Sequence, residues 1–218
     1  MIAAEIIRLH QLAWRPGVVM HFQWWAQLQL SSWHPYYLKG QVDASDISAL
    51  LPSTESSLRD SPWQASLQQA IDRLICQKRR FPIAALPAQL SGQQCRLLAL
   101  EDRLGKLLVA LGLQLLGSPD YLLRGHYRRV LAPLLGWQAL DQLWALWRQG
   151  DHSAELPPEK LVEQAQQCAY QVLNSQLKTD PVWQTLLIQL PPPLPAAAPA
   201  AVSFDTPLTL LFRIARFL

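Results

Sequence analysis

Apolar residues in this chain recur at spacings of three and four, the period of a helix face, and seldom at two. The longest such series is Leu97, Leu100, Leu104, Leu107, Leu108, Leu111 and Leu115. It predicts one long helix over 91–116, capped by Ser91 and closed by Gly117, as the spine of the molecule. Gly105 and Gly112 lie inside it, and each costs about 1 kcal/mol relative to alanine. A neighbouring helix crossing closely at these positions would explain why they are kept. No stretch alternates over strand length, and Asn-Gly hairpin dipeptides are absent. Only the run over 17–22 has strand character.

Further helix starts are marked by a capping residue followed by proline, the order suited to N-cap and first helical turn. Ser61-Pro62 predicts a helix over 61–79, and Ser118-Pro119 one over 118–135. Pro157-Pro158 precede one over 159–178. Asp180-Pro181 opens a short one before Pro191, and Thr206-Pro207 opens the last. The fold class is therefore all-α, an irregular multi-helix bundle around the Leu-rich helix. A helical domain covers 1–190, a semi-rigid Pro/Ala-rich linker 191–207, and a short amphipathic C-terminal helix 208–218. So short a helix is marginal alone. It must dock on its own domain, on a partner or on a membrane surface.

Composition sharpens this picture. Hydrophobic residues make up 50% of the 218, enough for a sizeable core. Charged residues make up 16%, against roughly 25% in an average soluble domain. The 23 glutamines leave the polar faces largely uncharged. A disordered chain is excluded, and a net charge of +3 argues against a nucleic-acid coat. Cys76, Cys95 and Cys168 stand apart, which argues against a disulfide framework or structural zinc and fits a reducing compartment. No secretory signal is visible, and the most apolar stretch, 104–117, is too short to span a bilayer. These features point to a soluble cytosolic protein.

Catalytic signatures are missing. The chain has no phosphate-binding loop, dinucleotide fingerprint, H-e-x-x-H-type zinc motif or nucleophile elbow. None of His10, His21, His34, His126 and His152 stands four residues from another His, Asp or Glu. No catalytic, cofactor-binding or metal-ligating residue is predicted, and the expectation is a protein that is not an enzyme. The run Lys78-Arg79-Arg80 reads as a solvated last turn that complements a helix dipole. Arg124, Arg128 and Arg129 fall within one predicted helix, with Arg124 and Arg128 on a shared face. That face suits solvent, an acidic protein surface or nucleic acid. The chain has nine tryptophans. Trp14, Trp24, Trp25 and Trp33, flanked by Pro16, Pro35 and Tyr36-Tyr37, suggest an interface or a clamped leading segment more than a deep core. Trp137 and Trp144 share a helix face.

The segment Trp14-Arg15-Pro16-Gly17-Val18-Val19-Met20-His21-Phe22-Gln23-Trp24 resembles the opening of the SctK/YscK family of type III secretion systems. The run over 103–113 and the later Arg128-Arg129 are similar to that family's Leu-rich helix and following arginine pair. The resemblance implies a non-enzymatic adaptor of the injectisome sorting platform, in the cytoplasm at the face of the inner membrane. Its implied partners are the forkhead-associated-like cytoplasmic domain of the ring protein SctD and the pod protein SctQ. Through SctQ it would connect to SctL and the ATPase SctN. No cofactor, nucleic acid or membrane span is implied. The candidate interface residues are His21, Trp24 and Trp25 on one side and Arg124, Arg128 and Arg129 on the other, the arginine face being expected to meet the ring protein. The alternatives are a helical DNA-binding or regulatory protein using the basic helix, an enzyme with a dispersed site, and a secretion chaperone.

Overall fold

Side-chain capping sets the helix starts at Ser91 and Asp180. Ser91 and Gln94 form a reciprocal capping box: the Gln94 N–H donates to Ser91 Oγ at 3.2 Å, and the Ser91 N–H donates to Gln94 Oε1 at 3.0 Å. Asp180 Oδ1 accepts from the Val182 and Trp183 N–H groups at 2.9 and 3.0 Å, just ahead of Pro181. The computed structural model of the chain describes residues 3–34, 37, 62–82, 85–147, 150, 154–193 and 206–218, with backbone alone at 62–64. Among these residues there are eleven α-helices and no strand, so the fold is all-α. In chain order they are α1 (Ala4–Trp14), α2 (Phe22–Gln27), α3 (Pro62–Arg79), α4 (Gly92–Leu98) and α5 (Leu104–Leu116). Then come α6 (Asp120–Leu123), α7 (Gly125–Leu135), α8 (Trp137–Ala145), α9 (Pro158–Leu177), α10 (Pro181–Leu186) and α11 (Pro207–Ile214). Ser61, the expected cap of α3, and residues 194–205 of the expected linker lie outside the described residues.

The helices gather into two compact units. Met1–Leu98 with Asp180–Pro192 make the first. Its core joins Met20, Trp25, Leu30, Tyr37, Ile71, Ile75 and Ile188. Helix α1 packs on α3, α4 and α10 and buries Leu9, Leu12 and Ala13. The run over 17–22 is not a strand. It folds as a 3-10 turn, Pro16–Val18, leading into α2. Proline fixes φ for that turn, and the Gly17 N–H donates to Asp72 Oδ1 at 3.0 Å, where a strand would have sent it to a ladder. A Cβ on Gly17 would stand 2.5 Å from the Tyr37 ring, so only glycine fits there.

Ala99–Thr179 with Pro193–Leu218 make the second unit. Helix α5 is its centre and is buried from Leu107 through Leu115. Helix α9 lies along it, and at Gly112 the two backbones meet so closely that a Cβ would overlap the Ala165 carbonyl. The close crossing anticipated at the helix glycines is thus present at Gly112. Helix α11 docks on α5 and α9, burying Leu208, Leu210, Leu211 and Ile214. Of the three docking options open to the C-terminal helix, its own unit takes the apolar face.

Two expected helices are broken. The one over 91–116 is α4 and α5, parted by a turn and a 3-10 segment, Glu101–Arg103. Leucine spacing cannot tell one rod from two, because each piece buries its own leucines. Glu101 and Asp102 then sit ahead of the α5 N-terminus, where carboxylates complement the helix dipole. The one over 118–135 is α6 and α7, parted at Arg124, whose backbone is extended (φ −77, ψ 130). Gly125 follows at the first helical position, a poor helix former that makes the break inexpensive.

Candidate protein-interaction surfaces

The aromatic leading segment divides between the core of the first unit and its surface. Trp25 is 3% exposed and belongs to the core, its ring 5.5 Å from that of Tyr37. This corrects its placement on a contact surface: an apolar indole facing Ile71 and Ile75 is held by burial. Trp24 is half-buried, and its Nε1–H donates to the Leu190 carbonyl at 2.8 Å. His21 caps α2, with Nδ1 accepting from the Gln23 N–H, and its own N–H donates to the Ile188 carbonyl at 2.9 Å. Burial lowers the His21 pKa. These three residues clamp the segment, and the exposed aromatics beside them are Trp14, Phe22 and Trp33.

Beneath the clamp lies an acid that pattern reading missed. Asp72 is 3% exposed and accepts from the Gly17 N–H and from the Tyr37 hydroxyl at 3.0 Å. Burial pushes its carboxyl up to about 6, against the opposing pull of those two donors and of Arg15. Burial and the Asp72 charge likewise raise the Tyr37 hydroxyl. The signal available in sequence was a lone carboxylate on the helix face of Ile71 and Ile75.

The run Lys78-Arg79-Arg80 at the end of α3 divides in role. Lys78 Nζ donates to the Leu28 carbonyl at 2.6 Å, and Arg79 Nη2 donates to the Gln184 carbonyl at 2.8 Å. Both cations staple other elements of the unit to α3, so the run is not simply a solvated turn. Arg80 adopts a left-handed conformation with φ 54. Its N–H donates to the Gln77 carbonyl and the Phe81 N–H to the Cys76 carbonyl, both at 3.1 Å. This is the two-bond helix terminus that usually carries glycine. Beside it opens a cleft of about 380 Å³ lined by Trp14, Arg73, Cys76, Gln77, Arg80, Phe81 and Pro82. Trp14 is 51% exposed, and Arg73 and Arg80 are exposed as well.

In the second unit the arginine cluster does not form a single solvated face. Arg124 precedes α7, and its Nη2 lies 2.8 Å from Asp120 Oδ2. Arg128 is largely buried: it donates to the Leu122 carbonyl at 3.0 Å and to Asp141 Oδ1 at 2.7 Å. Its guanidinium also lies over the Trp137 ring, 5.5 Å from the centroid. Arg129 is exposed. The break at Arg124 separates the pair that an unbroken helix would have aligned. What this region does present is an aromatic strip on α8. Trp137, Asp141 and Trp144 fall at spacings of four and three on one face, with the two indoles 55% and 42% exposed. Trp144 stacks on Trp147 at 6.4 Å. Exposed tryptophan with arginine is the composition of interface hot spots.

Among the described residues, no group of three His, Cys, Asp or Glu side chains is placed to hold a metal. No helix among them is long and apolar enough to cross a membrane. Neither a curated protein nor a solved structure matches the chain. The family model described as a type III secretion system subunit matches residues 59–192. The match covers more than half of the sequence, and the chain belongs to that family.

Proposed function

We propose that this type III secretion system subunit is a non-enzymatic adaptor of the sorting platform, placed in the cytoplasm at the face of the inner membrane. It links the forkhead-associated-like domain of SctD to SctQ, and through SctQ to SctL and SctN. Family membership supports the secretion role, and the resemblance of residues 14–24 and 103–113 to SctK/YscK supports the adaptor role. One observation carries the reading. Each compact unit exposes its own tryptophan surface bordered by arginine, at Trp14 with Arg73 and Arg80 and at Trp137 with Arg128. An adaptor needs two separate contact surfaces. The pairing of Arg124 and Arg128 with carboxylates weighs against the alternative of duplex DNA binding.

Arg128 holds α7 to α8, so charge reversal there would perturb folding together with contact. The cleaner test combines Trp144→Ala with Arg129→Glu, both at exposed side chains. Affinity purification from the host at low salt should recover SctD and SctQ with the natural chain. The double variant should lose SctD while its melting temperature stays within about 2 °C, as surface changes usually allow. Full recovery of both partners with the variant would refute the α7–α8 surface, and recovery of neither with the natural chain would refute the adaptor.

A further inference from the structure

The backbone at Arg80 carries an inference about what the first unit binds. The α3 terminus is a glycine site by geometry, yet it holds arginine at φ 54. Glycine would form the same two hydrogen bonds without strain, so the helix terminus itself does not call for the arginine side chain. That side chain lines the cleft with Trp14 and Phe81, and Arg73 stands two turns back along α3. Neither Arg73 nor Arg80 makes an ion pair among the described residues, and the cleft lining contains no acidic residue. Lys78 and Arg79, the neighbouring cations, donate to backbone carbonyls, and the Arg79 guanidinium lies over the Phe81 ring, 5.4 Å from its centroid. An apolar trough between an exposed indole and a phenyl ring, edged by two arginines, is complementary to carboxylates flanking a large apolar side chain.

We propose that this cleft is a docking site for an acidic segment of a partner protein, with an aromatic or large aliphatic anchor between Trp14 and Phe81 and carboxylates on Arg73 and Arg80. The proposal deepens the adaptor reading, on which it rests for the partner being a protein. Its test is independent of any secretion component. The probe is a fluorescein-labelled peptide with one phenylalanine between paired glutamates, titrated into the full chain by fluorescence anisotropy.

Binding should weaken with salt and fall at least about fivefold when the phenylalanine becomes alanine. Arg80→Gly removes the charge and relieves the backbone, so its melting temperature should hold or rise while affinity drops about fivefold. Arg73→Gln should weaken binding similarly, and Arg129→Glu should leave it unchanged. Absence of binding to the full chain would overturn the proposal. So would unaltered affinity in Arg80→Gly. Equal competition by inorganic polyphosphate or duplex DNA, with the phenylalanine dispensable, would mark a general anion surface and overturn it too. Peptide binding together with failure to recover SctD or SctQ from the host would sink the adaptor reading and leave the cleft standing.

Discussion

The end of α3 and the junction of α6 with α7 look alike in sequence, each a short stretch dense in arginine. They are put to different use. At α3 the cations reach backbone carbonyls far along the chain, Leu28 and Gln184, and one is left at a strained terminus facing a cleft. At α6–α7 the arginines meet carboxylates, Asp120 four residues back and Asp141 on the next helix. The acids differ in the same sense. Asp72 in the first region is buried with neutral donors, whereas Asp141 in the second is 68% exposed beside a guanidinium. A run of like charge therefore does not specify a surface. What each cation does depends on which acceptor the fold brings within reach.

The largest effect expected from this contrast is at Asp72. Its carboxyl titrates near 6 when folded and near 3.9 when unfolded. Between those values the folded state binds more protons, so this group lowers stability as pH rises from about 4 to about 6 and then levels off. The contribution is on the order of 3 kcal/mol. Asp72→Asn keeps an acceptor for the Gly17 N–H and removes the titration. Urea unfolding should show the variant gaining on the natural chain between pH 4.5 and pH 7.5, and a difference that does not change with pH would break the contrast between the two acids.

Next in size is the comparison of Arg79→Ala with Arg128→Ala. Each loses a partly buried, charge-assisted bond to a carbonyl, worth about 2 kcal/mol. Arg128→Ala also strips the cover from Trp137, which should increase exposed indole fluorescence quenching by acrylamide. The same quenching change in Arg79→Ala would erase the distinction between the regions. The smallest effect belongs to Arg124→Ala. Its side chain is 55% exposed, so loss of the Asp120 pair should cost about 0.5 kcal/mol or less. A drop above about 1.5 kcal/mol would show that the break between α6 and α7 depends on that pair.

Much of the helical framework was legible. Ser91 with Gln94, Asp180 with Pro181, and Pro158 mark their helix starts. Gly117 closes α5 with φ 68. Gly112 signalled the α5–α9 crossing, because glycine inside an apolar helix implies close approach. Less of the candidate site was legible. Trp24, Trp25 and His21 were marked for contact by their type, but burial and hydrogen bonding assign them to the clamp of the first unit. The cleft of Trp14, Arg73 and Arg80 was not apparent at all, since a left-handed arginine has no sequence mark where glycine is the rule.

By itself the sequence determined the all-α class, the proline-led starts of α9, α10 and α11, the Asp180 cap, and the close helix contact at Gly112. Those depend on capping bonds, φ restriction and side-chain size, which act within three or four residues. Only the tertiary structure decided that the Leu-rich series is two helices, which tryptophan is core, and which arginine faces solvent. Those outcomes depend on partners such as Gly17 with Asp72 or Trp24 with Leu190, brought together across 55 and 166 residues by burial, which carries no direction along the chain.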